Sequence, residues 1–409
     1  MGAKPGDDGP PPAACDLLVV GGGILGMAVA RELSIRHPGA ALCVLESEQR
    51  VGQHQTGHSS GVIHAGIYYQ PGSLKARLCV EGAGLLYAYC EEKGIPAPKA
   101  GKLVVAVDDS ELSRLDELER RGRANRVPGL RRLGPEEIPE IEPNARGAAA
   151  LHSPETGVVD FVAVAAAYAD DVRRAGGTIH LGVRASGADP AADGLAVHHS
   201  AGTTRAGTAV FCAGLWSDRL AVACGAPRDP RIVPFRGAYL RLPEPAAALV
   251  RANVYPVPDP DLPFLGAHLT RSFAGEVLVG PSALMAPARD AYELRAVRAR
   301  DLGETLSWPG TWRLAAEHWR AGLREIHHAA SRRAFVAEAA RMVPALRGAR
   351  ALRGPAGIRA QALGRDGALL DDFVVHRTER AVHVRNAPSP AATSSLALAK
   401  LIADEAQRD

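Results

Sequence analysis

The chain has 409 residues, 46% of them hydrophobic and 23% charged, which is enough length for two or three domains with a full core. This composition excludes a disordered, collagen-like or disulfide-stapled protein. A formal charge of +3, from 48 basic against 45 acidic side chains, argues against a nucleic-acid partner. Residues 1–14, MGAKPGDDGPPPAA, read as a polar, disordered tail without the apolar centre of a secretory signal. No run of about 18 apolar residues follows, so no membrane span is expected. Six cysteines, at 15, 43, 79, 90, 212 and 224, show no paired metal spacing, and most sit in apolar runs. They suit a reducing, cytoplasmic compartment, and no metal site is expected. Only six of the basic residues are lysine, an arginine surplus that reads as composition.

Residues 16–20, DLLVV, are a continuous apolar run, as in a parallel strand buried on both faces. The run enters Gly21-Gly22-Gly23-Ile24-Leu25-Gly26, a G-x-G-x-x-G, and a helical pattern with Leu25, Ala28, Val29 and Leu33 on one face follows. After the break at His37-Pro38-Gly39, a second strand at 41–45 ends on Glu46, twenty residues past Gly26. Strand, glycines, helix, strand and terminal acid stand in the order of a dinucleotide-binding unit. Gly21 serves the tight turn, Gly23 the approach of a pyrophosphate, and Gly26 close helix–strand packing. Glu46 would accept hydrogen bonds from ribose hydroxyls and repel a 2′-phosphate. The unit by itself does not distinguish FAD from a nicotinamide dinucleotide.

The next stretch, 54–79, is HQTGHSSGVIHAGIYYQPGSLKARLC. It concentrates hydroxyls (Thr56, Ser59, Ser60), three histidines (54, 58, 64) and several glycines, a composition able to wrap a large planar cofactor. The glycines between the histidines argue against a helical metal face. This stretch resembles the flavin loop of the L-2-hydroxyglutarate dehydrogenase/oxidase family, within the D-amino-acid-oxidase-like group of FAD enzymes. The resemblance continues through NVYPVPDPDLPFLGAHLTRSFAGEVLVGP (253–281), GPAGIRAQ (354–361) and NAPSPAATSSLALAKLIA (386–403), so it covers nearly the whole chain after the tail. Ala238 stands where an acidic residue is expected, and Ser59 where asparagine is.

Further along, 101–107 read as a strand, 111–127 as a charged, solvated helix, and 133–147 as a loop. Asp160 heads a helix, and strand 178–185 follows; the resemblance implies that backbone near Val183 meets the adenine. Residues 208–221 are a buried strand, the turn Ala213-Gly214 and a helix, and that turn resembles the group's second dinucleotide contact. From 231 short alternating strands indicate an antiparallel, substrate-facing layer, on which Tyr239, Tyr255 and His268 are candidate substrate contacts. Residues 307–346 read as helical, with Trp312, Ala315, Ala316, Trp319, Leu323 and Ile326 on one face and eight arginines against three glutamates over 307–350. The favoured expectation packs that face on the chain's own domain. The alternative lays the helix at 308–326 on an anionic membrane surface, near a quinone.

The resemblance implies an α/β chain in which a Rossmann-type FAD-binding domain (15–92, 151–225, 346–409) is interleaved with an α+β substrate domain built on an antiparallel sheet (93–150, 226–345). It implies FAD as cofactor, held by the glycine loop, Glu46, Thr56, Ser59, Ser60, Val183, Ala213, Gly214 and the segment with Ser389, Ala392 and Thr393. A helix starting near Thr393 would stabilise negative charge on the reduced flavin. It also implies oxidation of a 2-hydroxy acid, most specifically L-2-hydroxyglutarate, by hydride transfer from C2 to flavin N5. His64 is the expected base, with His268 second, since imidazole titrates near neutrality. Arg359 would clamp the C1 carboxylate in bidentate fashion, and Tyr255 or Gln361 would hold the distal one. The electron acceptor is oxygen or a quinone. Two alternatives stay open: an amino-acid oxidase or dehydrogenase of the same fold, which needs no buried base, and more remotely a non-catalytic flavin-binding scaffold.

Overall fold

The apolar run at 16–20 lies in the strand Ala14–Val20, which the computed structural model buries completely from Leu18 onward. The structure describes residues 8–260, 264–293 and 295–407. Ala14–Val20 lies parallel between Leu42–Glu46 and Gly202–Phe211. Outside these, still parallel, come Thr178–Leu181 on one side and Ala381–Asn386 on the other. Val374–Arg377 closes that second edge in antiparallel sense, and the antiparallel pair Ala185–Ala191 and Gly194–His199 extends Gly202–Phe211. Four helices, Ile24–Arg36, Leu74–Lys93, Phe161–Arg174 and Ser395–Gln407, share one hydrophobic core with this sheet. Local capping fixes where two of them begin. Ser73 Oγ accepts the Ala76 N–H at 3.2 Å, and Asp160 Oδ1 accepts that of Val162 at 2.8 Å.

A second, nine-stranded sheet carries the alternating strands. Its spine runs Arg231–Leu242, Val277–Gly280, His268–Arg271, Asn253–Pro256, Lys102–Ala106, Ala149–Ser153. All these pairs are antiparallel except Asn253–Pro256 against Lys102–Ala106, which run parallel, a departure from the expected purely antiparallel layer. Leu352–Leu363 pairs antiparallel along almost the full length of Arg231–Leu242. The stretch expected to rejoin the first sheet at 346 therefore belongs to the second sheet first, and returns only with Val374–Arg377.

Two further expectations are corrected. Of the tail expected to be disordered, residues 1–7 lie outside the described residues, but 8–14 are tied down. The Asp8 N–H donates to Ile179 O at 3.1 Å, Gly9 O meets His180 Nδ1 at 2.7 Å, and Thr204 Oγ1 donates to Pro12 O at 2.7 Å. The single Trp-containing helix is instead a string of separate helices, Ala299–Leu306, Pro309–Glu317, Trp319–Ala330 and Arg332–Ala339, because the backbone leaves helical geometry at Trp308, His318 and Ser331. Trp308 is buried and donates its indole N–H to Leu363 O at 3.1 Å. Trp312, Trp319, Leu323 and Ile326 are each more than half exposed, so the face does not pack on the chain's own domain.

Candidate active site

At the end of the first strand the backbone turns at Gly21 with φ of 110°, a conformation open to glycine, and lies against the Cys212 carbonyl. A methyl group on Gly26 would collide with the Gly21 carbonyl, so the first helix can sit this close to the strand only without a side chain there. Around the Cβ position of Gly23 the nearest atom is Thr56 Oγ1 at 3.5 Å, which leaves space at the helix N-terminus where a pyrophosphate would approach. Thr56 Oγ1 accepts the Ile24 N–H at 2.9 Å, so this residue joins the loop to the helix start. The buried Glu46 carboxylate accepts the Gly22 N–H through Oε2 and the Glu48 N–H (2.8 Å) and Ser47 hydroxyl (3.1 Å) through Oε1. One lone-pair direction on Oε2 remains for a hydroxyl donor. Val183 donates its N–H to Glu46 O at 2.8 Å, and the Ala213-Gly214 turn follows the Cys212 N–H bond to Val20 O (2.8 Å). The glycine loop, Glu46, Val183, Ala213 and Gly214 thus stand at one end of the parallel sheet, and this cradle fits a dinucleotide.

The loop after Glu46 crosses from this cradle to the second sheet. Ser59 Oγ donates to Thr56 O at 3.2 Å and accepts the Gly61 N–H at 3.4 Å, a local bracing in which the hydroxyl does what the expected asparagine could also do. Ser60 hydrogen-bonds the Tyr239 phenol. His54 and His58 are used for packing: His58 stacks on Tyr292 at 3.8 Å, and His54 contacts Tyr292 Oη at 3.3 Å and Glu48 Oε1 at 3.0 Å. His64 differs. Its N–H is held by Thr393 Oγ1 at 3.1 Å, its carbonyl accepts the Cys79 thiol at 3.3 Å, and its Nε2 lies 3.3 Å from Ser389 Oγ. Its buried Nδ1 has no partner among the described residues. Burial holds the imidazole well below its usual range, with Lys102, His268 and Lys75 adding to the shift, so it is neutral at pH 7. In the tautomer whose Nε2–H donates to Ser389 Oγ, the Nδ1 lone pair is uncommitted.

The helix expected near Thr393 begins at Ser395; the turn before it brings Ser389, Ala392 and Thr393 against residues 62–64. Thr393 is fully engaged there, donating to Val62 O at 3.4 Å while accepting from His64.

Opposite the loop, Arg359 pairs in register with Phe235, and its guanidinium lies 5.0 Å over the Phe264 ring. Among the described residues no carboxylate pairs with it, so its fork of donors is free. Gln361, two residues along on the same strand face, donates to Leu370 O at 3.2 Å and so braces the loop after its own strand. Tyr255 stacks on His268 at 3.9 Å and meets Thr270 Oγ1 at 3.3 Å through its hydroxyl. His268 Nδ1 lies 3.0 Å from Gly266 O, and burial drives its pKa down to about 3, so it too is neutral. The sequence reading missed Lys102 and Tyr68. Lys102 Nζ sits 4.2 Å over the Tyr255 ring and 5.3 Å from the Tyr68 ring, and burial lowers its pKa to about 7. In GKLVVAV the lysine heads a run otherwise wholly apolar, a pattern that by itself does not separate a buried lysine from one reaching solvent.

The family described as FAD dependent oxidoreductase (DAO) matches residues 16–405. The chain is 46% identical over 96% of its length to the mitochondrial L-2-hydroxyglutarate dehydrogenase of Nematostella vectensis, covering 90% of that protein, and 44% identical over 96% to the human one, covering 89%. The chain belongs to the L-2-hydroxyglutarate dehydrogenase family of FAD dependent oxidoreductases. In fold it is similar to the FAD-bound L-alpha-glycerophosphate oxidase from Mycoplasma pneumoniae, with a TM-score of 0.76, 23% identity, and coverage of 97% of this chain and 95% of that one. FAD is the cofactor. The protein is an oxidoreductase acting on a CH–OH donor.

Proposed function

We propose that the protein oxidises L-2-hydroxyglutarate to 2-oxoglutarate. The observation that carries this reading is His64, a neutral imidazole in the flavin loop whose buried Nδ1 has no partner among the described residues. An alcohol loses its hydroxyl proton to a base, whereas an amine substrate arrives able to shed its proton to water; the alcohol reading is the one that uses this residue. The substrates named for the curated relatives agree with it. When bound, FAD supplies the acceptor for the hydride from C2. The chain supplies the rest. Arg359 binds the C1 carboxylate through two parallel donors and so fixes C2. His64 takes the hydroxyl proton, and Tyr239, beside Ser60, interacts with Arg359. Tyr255 and His268 stack on one another at 3.9 Å on the same sheet. Purified holoenzyme mixed anaerobically with L-2-hydroxyglutarate should bleach; retention of the oxidised flavin spectrum with this substrate, but bleaching with L-amino acids, would replace this reading with the amine one.

We infer the electron acceptor and location from the exposed helical face. No helix among the described residues is long and apolar enough to cross a membrane. Trp312, Trp319, Leu323 and Ile326 project from two short helices that also carry Arg313, Arg320 and Arg324. Tryptophans beside arginines suit the interface of an anionic bilayer. In this reading the protein is cytoplasmic, peripheral on the inner face of the membrane, and passes its electrons to a quinone in preference to oxygen. Cosedimentation with vesicles containing anionic lipid, lost in Trp312→Ala/Trp319→Ala, checks it; equal sedimentation of the variant refutes it.

A further inference from the structure

Two lysines of this chain are buried near the site, and they are treated differently. Lys75 reaches Asp371 at 2.8 Å. Lys102, at 1% exposure, has no hydrogen-bond or ion-pair partner among the described residues. Its immediate polar neighbours in the sheet are already committed. Asn253 donates to Gly101 O at 2.9 Å and accepts the Arg271 N–H at 3.1 Å, and Ser153 Oγ accepts from Thr156 at 3.2 Å. What surrounds the ammonium is aromatic, the Tyr255 and Tyr68 rings at 4.2 and 5.3 Å. Tyr68 Oη is itself buried and unpartnered among the described residues, as is His64 Nδ1. An ammonium held out of water without an anion costs several kcal/mol. The aromatic faces offset part of that cost but leave all three N–H donors unused.

We propose that Lys102 Nζ, assisted by Tyr68 Oη, receives the second carboxylate of the substrate, while Arg359 receives the first. The assignment rests on the proposed dicarboxylate substrate and deepens it, because it names the group that separates a dicarboxylate from a monocarboxylate. Lys102 Nζ lies 4.2 Å over the Tyr255 ring of the stacked Tyr255–His268 pair, and Arg359 acts electrostatically on both members of that pair. A 2-hydroxy diacid carries an anion at each end, and the chain presents two unpaired cations to it. Their chemistry is divided sensibly. The planar fork of Arg359 fixes the end next to the reacting carbon, and the point charge of Lys102 accepts the far end at a less restricted angle. A monocarboxylate of equal length leaves Lys102 buried and unpaired, which is how a polar site rejects an analogue lacking its partner group. Tyr255, expected from sequence to hold the distal carboxylate, instead supplies the ring on which the ammonium rests.

The test compares Lys102→Met and Lys102→Arg with wild-type holoenzyme, using L-2-hydroxyglutarate and L-2-hydroxypentanoate in anaerobic reduction. The Kd values of glutarate and pentanoate are read in parallel from the flavin absorbance. Lys102→Met should fold, since it replaces a buried charge by an apolar chain of similar length, and its melting temperature and FAD content check this. Expected for Lys102→Met is a loss of about 10²- to 10³-fold in kcat/KM for L-2-hydroxyglutarate, carried by KM, with glutarate affinity falling in parallel. The values for L-2-hydroxypentanoate and pentanoate should stay or improve, and Lys102→Arg should restore part of the diacid preference. Equal losses for both chain types, or none for either, overturn the assignment. Wild-type enzyme that L-2-hydroxyglutarate fails to reduce would instead overturn the substrate reading, and the glutarate-to-pentanoate Kd ratio would still decide Lys102 alone.

Discussion

Replacing His64 by Asn isolates the base from everything else the residue does. The main chain at this position is held independently of the imidazole. The His64 N–H is bound to Thr393 Oγ1, its carbonyl accepts from Cys79 Sγ, and Val62–Ile63 pairs with Gly157–Val158. The side chain makes one hydrogen-bond contact of its own, Nε2 to Ser389 Oγ at 3.3 Å, which the shorter Asn gives up without disturbing the main chain. FAD content and melting temperature should therefore be retained. Asn cannot take a proton at neutral pH, so the loss is that of general-base catalysis, about 10²- to 10⁴-fold. That corresponds to about 3–5 kcal/mol in the barrier. The assay is the limiting rate of anaerobic flavin reduction at saturating L-2-hydroxyglutarate. Because burial depresses the His64 pKa, the wild-type limiting rate should be flat from pH 6.5 to alkaline values and fall only on the acid side, as the base becomes protonated. A His64→Asn enzyme that binds FAD and reduces within threefold of wild type refutes the assignment. His268, whose Nε2 is left free once Nδ1 faces Gly266 O, would then be the residue to replace.

Substrate affinity should show a different pH dependence from the limiting rate. Lys102 is faced by the Tyr68 and Tyr255 phenols, the His64 and His268 imidazoles and the Cys79 thiol, and burial holds all of these neutral from pH 6.5 to 8.5. Lys102, lowered to about 7, is the group that changes charge there: protonated below, neutral above. The Kd of glutarate should rise toward tenfold per unit above pH 7 while that of pentanoate stays level; parallel curves refute the reasoning. Gly26→Ala should yield protein without FAD, because the added methyl meets the Gly21 carbonyl and the glycine turn cannot keep its shape. Normal FAD absorbance per chain in that variant would show that the helix can move away from the strand at little cost.

The parts legible in the sequence are those where neighbours along the chain are also neighbours in space. The glycine turn, the first helix and Glu46 form one local unit, so composition and spacing determine it. Arg359 was singled out through the family resemblance, and the glycine-rich turn expected before it is instead part of the strand Leu352–Leu363. Three misreadings have one physical cause: the deciding contact is distant in sequence. Residues 8–14 have the composition of a free tail, yet Ile179, His180 and Thr204 bind them. The 3.6-residue periodicity around Trp312 and Trp319 is the same whether or not another element covers that face. In this fold nothing among the described residues buries it, and the helix is interrupted at His318.

Lys102 shows the limit most clearly. At the head of an apolar strand a lysine is expected to snorkel to solvent, and the local pattern contains nothing against that. What prevents it is Tyr255, more than 150 residues later, and Tyr68 on the flavin loop; the ammonium lies over their rings and stays out of water. A sequence search for ligands of a carboxylate favours arginine in a distinctive motif and so finds one end of the substrate. The cation proposed for the other end becomes visible only when distant strands of the second sheet and the flavin loop are brought together, because its significance lies in the absence of a counterion rather than in any residue beside it.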